Sequence, residues 1–252
     1  MTLAFAHNAA GEHRILVLNR TTRSWEQYAW LAGILFVIAL LAESVVSTGV
    51  GLTQDDSAAK IASGLHEHRV RLLLIAYVSV VYAVTFVIYL CSLYHLLRVD
   101  TDGARILSSL VLVGGVLFVA LHAVSDLGIT GLLGAKLTSY SAQHDQGIAY
   151  TLYLMTFALD SVGDVFCSLA AVAVGLLVIK TGVLPRWLAW LSILAGVLFF
   201  LQGFGLGGVI ATFGLVLDLI AFVLFLAFVL VSSVILVRRS HPIPGAADTA
   251  TA

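Results

Sequence analysis

Long apolar runs separated by short polar stretches repeat along the chain, each long enough to cross a bilayer as a helix, which takes about 20 residues. The first extends from about Tyr28 to Val50, the second from Val70 to Leu97, the third from Ile106 to Leu133 and the fourth from Tyr150 to Lys180. A fifth starts near Trp187 and a sixth ends before Arg238, with the bend GFGLGG between them. The pattern predicts an all-α fold, a polytopic membrane helical bundle of six transmembrane helices over residues 27–239. Residues 1–26 are expected to be a cytoplasmic leader: they carry His13, Arg14, Arg20 and Arg23 and lack the apolar core and cleavage site of a secretory signal. Residues 240–252 read as a disordered tail.

The breaks carry their own signals. In GLTQDDSAAKIASGLHEHR (51–69), Asp55 or Asp56 is placed to cap a short helix that presents Ile61 and Leu65 on one side. In TGVLPRW, Pro185 stands where a helix can start but not continue. Gly203, Gly205 and Gly208 match GxGxxG, yet no strand precedes them, so they predict a tight turn rather than a nucleotide site. Trp25 and Trp30, entering the first run, suit the membrane interface.

Polar positions inside the runs fall into stripes. Residues four apart share a helical face, so Tyr153, Thr156, Asp160, Asp164 and Cys167 form one stripe on the fourth span. Tyr82, Thr85, Tyr89 and Ser92 form another on the second, for which interhelical hydroxyl bonding is the plain explanation. The third span holds His122 and Asp126 four residues apart, the first holds Glu43 and the sixth Asp218.

Composition turns these stripes into chemistry. With 60% hydrophobic residues, 11% charged and a mean hydropathy of +1.04, the chain is far from a soluble domain, whose charged share is about 25%. A net charge of -1 with no concentrated basic face argues against nucleic acid as a partner. Cys91 and Cys167 lie in apolar runs and behave as small hydrophobes.

Cytoplasmic termini place Arg14, Arg20, Arg23, Arg98, Arg105, Lys180, Arg186, Arg238 and Arg239 inside against Lys60, Arg69, Arg71 and Lys136 outside, nine to four of the 13 basic residues. Basic residues favour the cytoplasmic side, so a multi-pass plasma-membrane protein with both termini inside is expected. At about 1.5 Å of rise per residue, Glu43, His122, Asp126 and Asp218 fall in the outer half, Asp160 near the middle, and Asp164 alone on the inner side, one turn deeper. An outward-facing, acid-rich cavity follows.

Five of the 14 acidic residues lie within spans, whereas the Lys and Arg residues lie outside or at their ends. A charged carboxylate at mid-bilayer costs about 2.5 to 3.5 kcal/mol on insertion scales. Each such group must therefore carry a proton, sit in a hydrated cavity or hold a cation. Asp160 and Asp126 are the candidate proton donors and acceptors. Glu43, His122, Asp126, Asp160, Asp164 and Asp218 are the candidate ligand- or cation-binding set, with Tyr82, Thr85, Tyr89, Tyr153 and Thr156 lining the pocket.

Retinal attachment needs a Lys within a span, which is absent. A bis-His haem needs two histidines at equal depth, but only His122 is deep. The oxygen-rich mix suits protons or hard cations better than zinc, so no cofactor is expected, a divalent cation is admitted and the identity of any metal stays open. His66-Glu67-His68 reads as a solvated loop segment. Three function classes remain. One binds a proton, a cation or a small amphipathic ligand. The second is an intramembrane enzyme acting on a hydrophobic isoprenoid or lipid, as small membrane terpene cyclases do: a carboxylic acid protonates an alkene or epoxide while Tyr82 and Tyr89 face the developing positive charge. The third is an accessory or assembly protein. Membrane lipid and a hydrophobic small molecule are the partners each implies, and homo-oligomerisation is left open.

The segments DSAAKIASGLHEHRVRLLLIAY (56–77), SLYHLLR (92–98), TGVLPRWLAWLSILAGVLFF (181–200) and VILVRR (234–239) together resemble a group of uncharacterised six-span actinobacterial membrane proteins of the DUF4386 type, over most of residues 28–239. The pre-helix acidic cap, the His-Arg pair before the second span and the LPRW break carry the likeness. It implies a topology and transfers no catalytic residue.

Overall fold

A helix that is apolar all round keeps its backbone satisfied internally and needs no polar solvent, so each run folds as one helix and packs by shape. The computed structural model describes residues 28–53, 55–98, 102–126, 131, 146–204 and 211–240. The expected leader and tail, the loop between the third and fourth runs and most of the Gly-rich bend lie outside them. The helices are α1 Tyr28–Thr48, α2 Ala58–Glu67, α3 Arg69–Leu97, α4 Asp102–Ala123, α5 Gln146–Thr181, α6 Arg186–Phe204 and α7 Ala211–Ser240. No strand occurs among the described residues.

Five of these helices, α1, α3, α4, α5 and α7, are long and apolar enough to cross a membrane. The sequence pattern predicted six. The remaining long helix, α6, is shorter, apolar over Arg186–Gln202, which spans about 26 Å against a hydrocarbon core of about 30 Å.

Helix α5 is the most enclosed and packs against α2, α3, α4 and α6. Its contact with α6 depends on small residues. A Cβ on Gly175 would lie 2.6 Å from the Ala189 carbonyl oxygen, and one on Gly196 would lie 2.9 Å from that of Ser168. Between them Ser192 Oγ donates to the Ala171 carbonyl at 2.8 Å. Without a hydrophobic drive between helices in lipid, such close approach and hydroxyl bonding are what hold two spans together.

Phenylalanines lock the centre. Phe36 of α1 lies 4.7 Å from Phe86 of α3, Phe86 lies 5.7 Å from Phe118 of α4, and Phe118 lies 5.8 Å from Phe225 of α7 (ring centroids). Phe225 also meets Phe199 of α6 edge-on at 6.0 Å. Beside them is a cavity of about 30 Å³ lined by Leu90, Leu93, Gly115, Phe118, Cys167 and Phe225 among others. It could house a water by size, but its walls are almost wholly apolar and give a water little to bond. Outward, large apolar side chains such as Val45, Val84, Val113, Val162, Leu194 and Leu219 are exposed, as suits a lipid-facing surface. Trp30, expected at the interface, turns inward onto Tyr89 at 6.3 Å. Tyr28, Trp187 and Trp190 are exposed aromatics near helix ends.

Helix α2 covers the end of the bundle where α5 begins. Its Ile61, Ala62 and Leu65 are buried against Leu72, Ile75 and Ala149, with Tyr150 and Tyr153 alongside. Its N-cap is Ser57, whose hydroxyl accepts from the Lys60 amide at 3.3 Å, not Asp55 or Asp56. Asp56 instead closes the preceding turn, accepting from the Thr53 amide at 2.9 Å and the Lys60 ammonium at 2.6 Å. The Lys60 bond, with help from Thr53, holds the Asp56 carboxyl below the usual carboxylate range. At the other end Gly182, with φ +64°, stops α5, and its amide donates to the Val178 carbonyl at 2.9 Å. The guanidinium of Arg239 donates to the Val183 carbonyl and fastens the end of α7 to that turn.

Candidate functional site

The site is built from α4 and α5, which run side by side. His122, in the last turn of α4, has Nδ1 3.1 Å from the Phe118 carbonyl oxygen of its own helix. A carbonyl oxygen only accepts, so Nδ1 carries the hydrogen. That leaves Nε2 facing α5, 3.7 Å from Asp164 Oδ1 and 4.0 Å from Asp160 Oδ1. The Phe118 ring packs on the imidazole at 4.5 Å. The imidazole can lie this close to α5 because residue 163 is glycine: a Cβ there would be 2.6 Å from Nδ1.

One turn on, the helix widens at 124–126 and turns Asp126 towards α3. There its Oδ2 accepts from Tyr82 Oη at 2.5 Å and from Ser79 Oγ at 3.3 Å. Ser125, fully buried, donates to the Thr156 carbonyl at 3.4 Å and lies beside the Asp160 carboxyl. The Asp164 carboxyl is buried beside the Gln202 side chain of α6. Asp160 differs from its neighbour: its side chain is 35% exposed, yet Oδ1 is buried with no hydrogen-bond partner among the described residues. Gln202 Oε1 is left in the same condition. Glu43 of α1 lies within coulombic reach of Asp126 and Asp160, and Asp218 of α7 within reach of His122.

His122, Asp160 and Asp164 are thus brought together across α4 and α5, and Asp126 meets Tyr82 of α3 one turn on, while Glu43 and Asp218 are joined to them only through longer-range charge. The expectation that Asp164 stands apart is corrected by the geometry: it is the carboxylate nearest His122. Depth counted along α5 alone ignores where α4 crosses it, and the crossing at Gly163 puts both acids level with the ring. The remaining pocket-lining candidates point elsewhere. Thr85 donates back to the Val81 carbonyl at 2.8 Å. Tyr89 bonds Ser232 of α7 at 2.7 Å, since seven residues place it about 10 Å from Tyr82 along the helix. Tyr153 stacks edge-on with Phe157 at 5.1 Å under α2, and Thr156 donates to its carbonyl at 2.7 Å. Ser79, Ser125, Gly163 and Gln202 were not singled out from the sequence. Gln202 alone carried a signal, as an amide in an otherwise apolar run.

Chemically, Nε2 and two carboxyl groups face one another, an arrangement in which a proton or a cation set among them has ligands from two helices. Among the described residues, no group of three or more His, Cys, Asp or Glu is arranged to hold a metal ion.

Apolar helices of membrane-crossing length, with titratable side chains gathered inside the bundle, define an α-helical integral membrane protein. The chain belongs to the family of the domain of unknown function DUF4386, whose model matches residues 30–237. Neither a curated protein nor a solved structure matches it.

Proposed function

We propose that this protein crosses the plasma membrane six times with both termini in the cytoplasm, and that its acid cluster forms an outward-facing pocket for a proton, a small cation or the cationic head of a small amphipathic molecule. Asp160 and Asp126 are the exchanging carboxyls, and the short α6 is the sixth span. One observation carries the reading: His122 commits Nδ1 to a backbone carbonyl and directs Nε2 at two carboxyl groups. A site so arranged binds a proton, and a cation entering among the carboxyls displaces it. Asp160 Oδ1, buried and without a hydrogen bond among the described residues, is the oxygen such an ion would take.

Asp160→Asn keeps the shape and removes the exchangeable proton. Thermal unfolding of the purified protein from pH 5 to pH 8 should show a pH dependence in the wild type that the variant loses, while both remain folded. An identical pH response in the two proteins would rule Asp160 out as the working residue.

A further inference from the structure

The opposite end of the bundle carries a charged patch that the acid site does not use. Arg186 opens α6 and is exposed, as are Arg238 and Arg239 at the end of α7. The bond from Arg239 to the Val183 carbonyl brings these two helix ends together, three residues from Arg186. No Asp or Glu occurs between Asp164 and Asp218 or within 219–240. Among the described residues, no ion pair involves Arg186, Arg238 or Arg239. Trp187 and Trp190 stand 54% and 64% exposed, and Trp190 shares a helical face with Arg186, four residues earlier.

We infer that this corner binds the headgroup of an anionic phospholipid. Guanidinium groups pair in bidentate fashion with a phosphate diester, and tryptophans at this depth rest their rings among the acyl-chain ends and glycerol backbones. A soluble anion would gain nothing from two exposed indoles that face lipid, so the lipid is the occupant that uses the whole surface. The site is separate from the acid cluster and does not depend on it.

The test is native mass spectrometry of the full-length protein released from detergent micelles doped with phosphatidylglycerol or with phosphatidylcholine of the same acyl chains. The wild type should retain phosphatidylglycerol several-fold better. Arg186→Gln with Arg238→Gln, which leaves the Arg239 tie intact, should lower that retention by roughly five-fold per charge removed and leave phosphatidylcholine unchanged. The corresponding Lys pair, which keeps the charge and loses the bidentate fork, should fall between the wild type and the Gln pair. Equal retention of the two lipids by the wild type, or a preference that survives in the Gln pair, overturns the proposal. Should the Gln pair not fold, the two single substitutions are scored the same way.

Discussion

At position 163 a methyl group would collide with the imidazole of His122, and so Gly163 sets how the acid site closes. Gly163→Ala should push the ring away from Asp160 and Asp164, and overpacking of this kind costs about 1 to 3 kcal/mol. Gly103, at the start of α4, has nothing within 4 Å of the same added atom. Gly103→Ala should instead leave stability unchanged or raise it by about 0.5 to 1 kcal/mol, the gain in helix propensity. Thermal melts of the two variants test the pair: equal effects would mean that His122 is not held against α5. In the sequence Asp160 and Asp164 announce themselves as charges in an apolar run, whereas a glycine there reads only as a small residue. Its significance comes from the other helix. The same holds for Tyr82 and Tyr89, which share a stripe on α3 but meet different neighbours, Asp126 and Ser232.

At the scale of elements, α2 and the α5–α6 contact are each open to a single change. Ser57→Ala removes the cap of α2 and should cost about 0.5 to 2 kcal/mol of its docking, readable as faster amide exchange in 58–67. Asp56 adds a pH dependence of known sign. Because Lys60 holds its folded-state pKa below the unfolded value of about 3.9, its contribution is complete above that value and is lost as pH falls through the lower, folded one. Between pH 5 and pH 8 it is constant. A pH response in that window that persists in Asp56→Asn therefore belongs to another group. Gly175→Ala would set a Cβ 2.6 Å from the Ala189 carbonyl oxygen, a backbone atom that cannot swing aside. Separation of α5 from α6 should lower the melting temperature by several degrees, and an unchanged melt would show that the two helices can slide. The existence of these helices was plain from the apolar runs. The cap was not, because Asp55, Asp56 and Ser57 are three competent capping residues in a row, and only the start of the helix selects among them.

For the molecule as a whole, the orientation determines which side of the membrane feeds the acid pocket. The nine-to-four distribution of basic residues leads us to expect a reporter fused at Ala252 to be active inside the cell and one inserted at Asp55 outside. A C-terminus found outside would turn the pocket to the cytoplasm. The apolar pattern located the five helices long enough to cross and expected a sixth where α6 is shorter, whereas a shared cavity for Glu43, His122, Asp126, Asp160 and Asp218 was expected from depth alone. Depth is a one-dimensional measure, and it misplaced Asp164.

The apolar cavity gives the bundle a further property. Phe118 lies on His122 and also forms part of the cavity wall, so a ring displaced by events at the imidazole has empty space to enter. That space is also where the protein is most compressible. Hydrostatic pressure should act there first, narrowing the gap behind Phe118 before it loosens any helix.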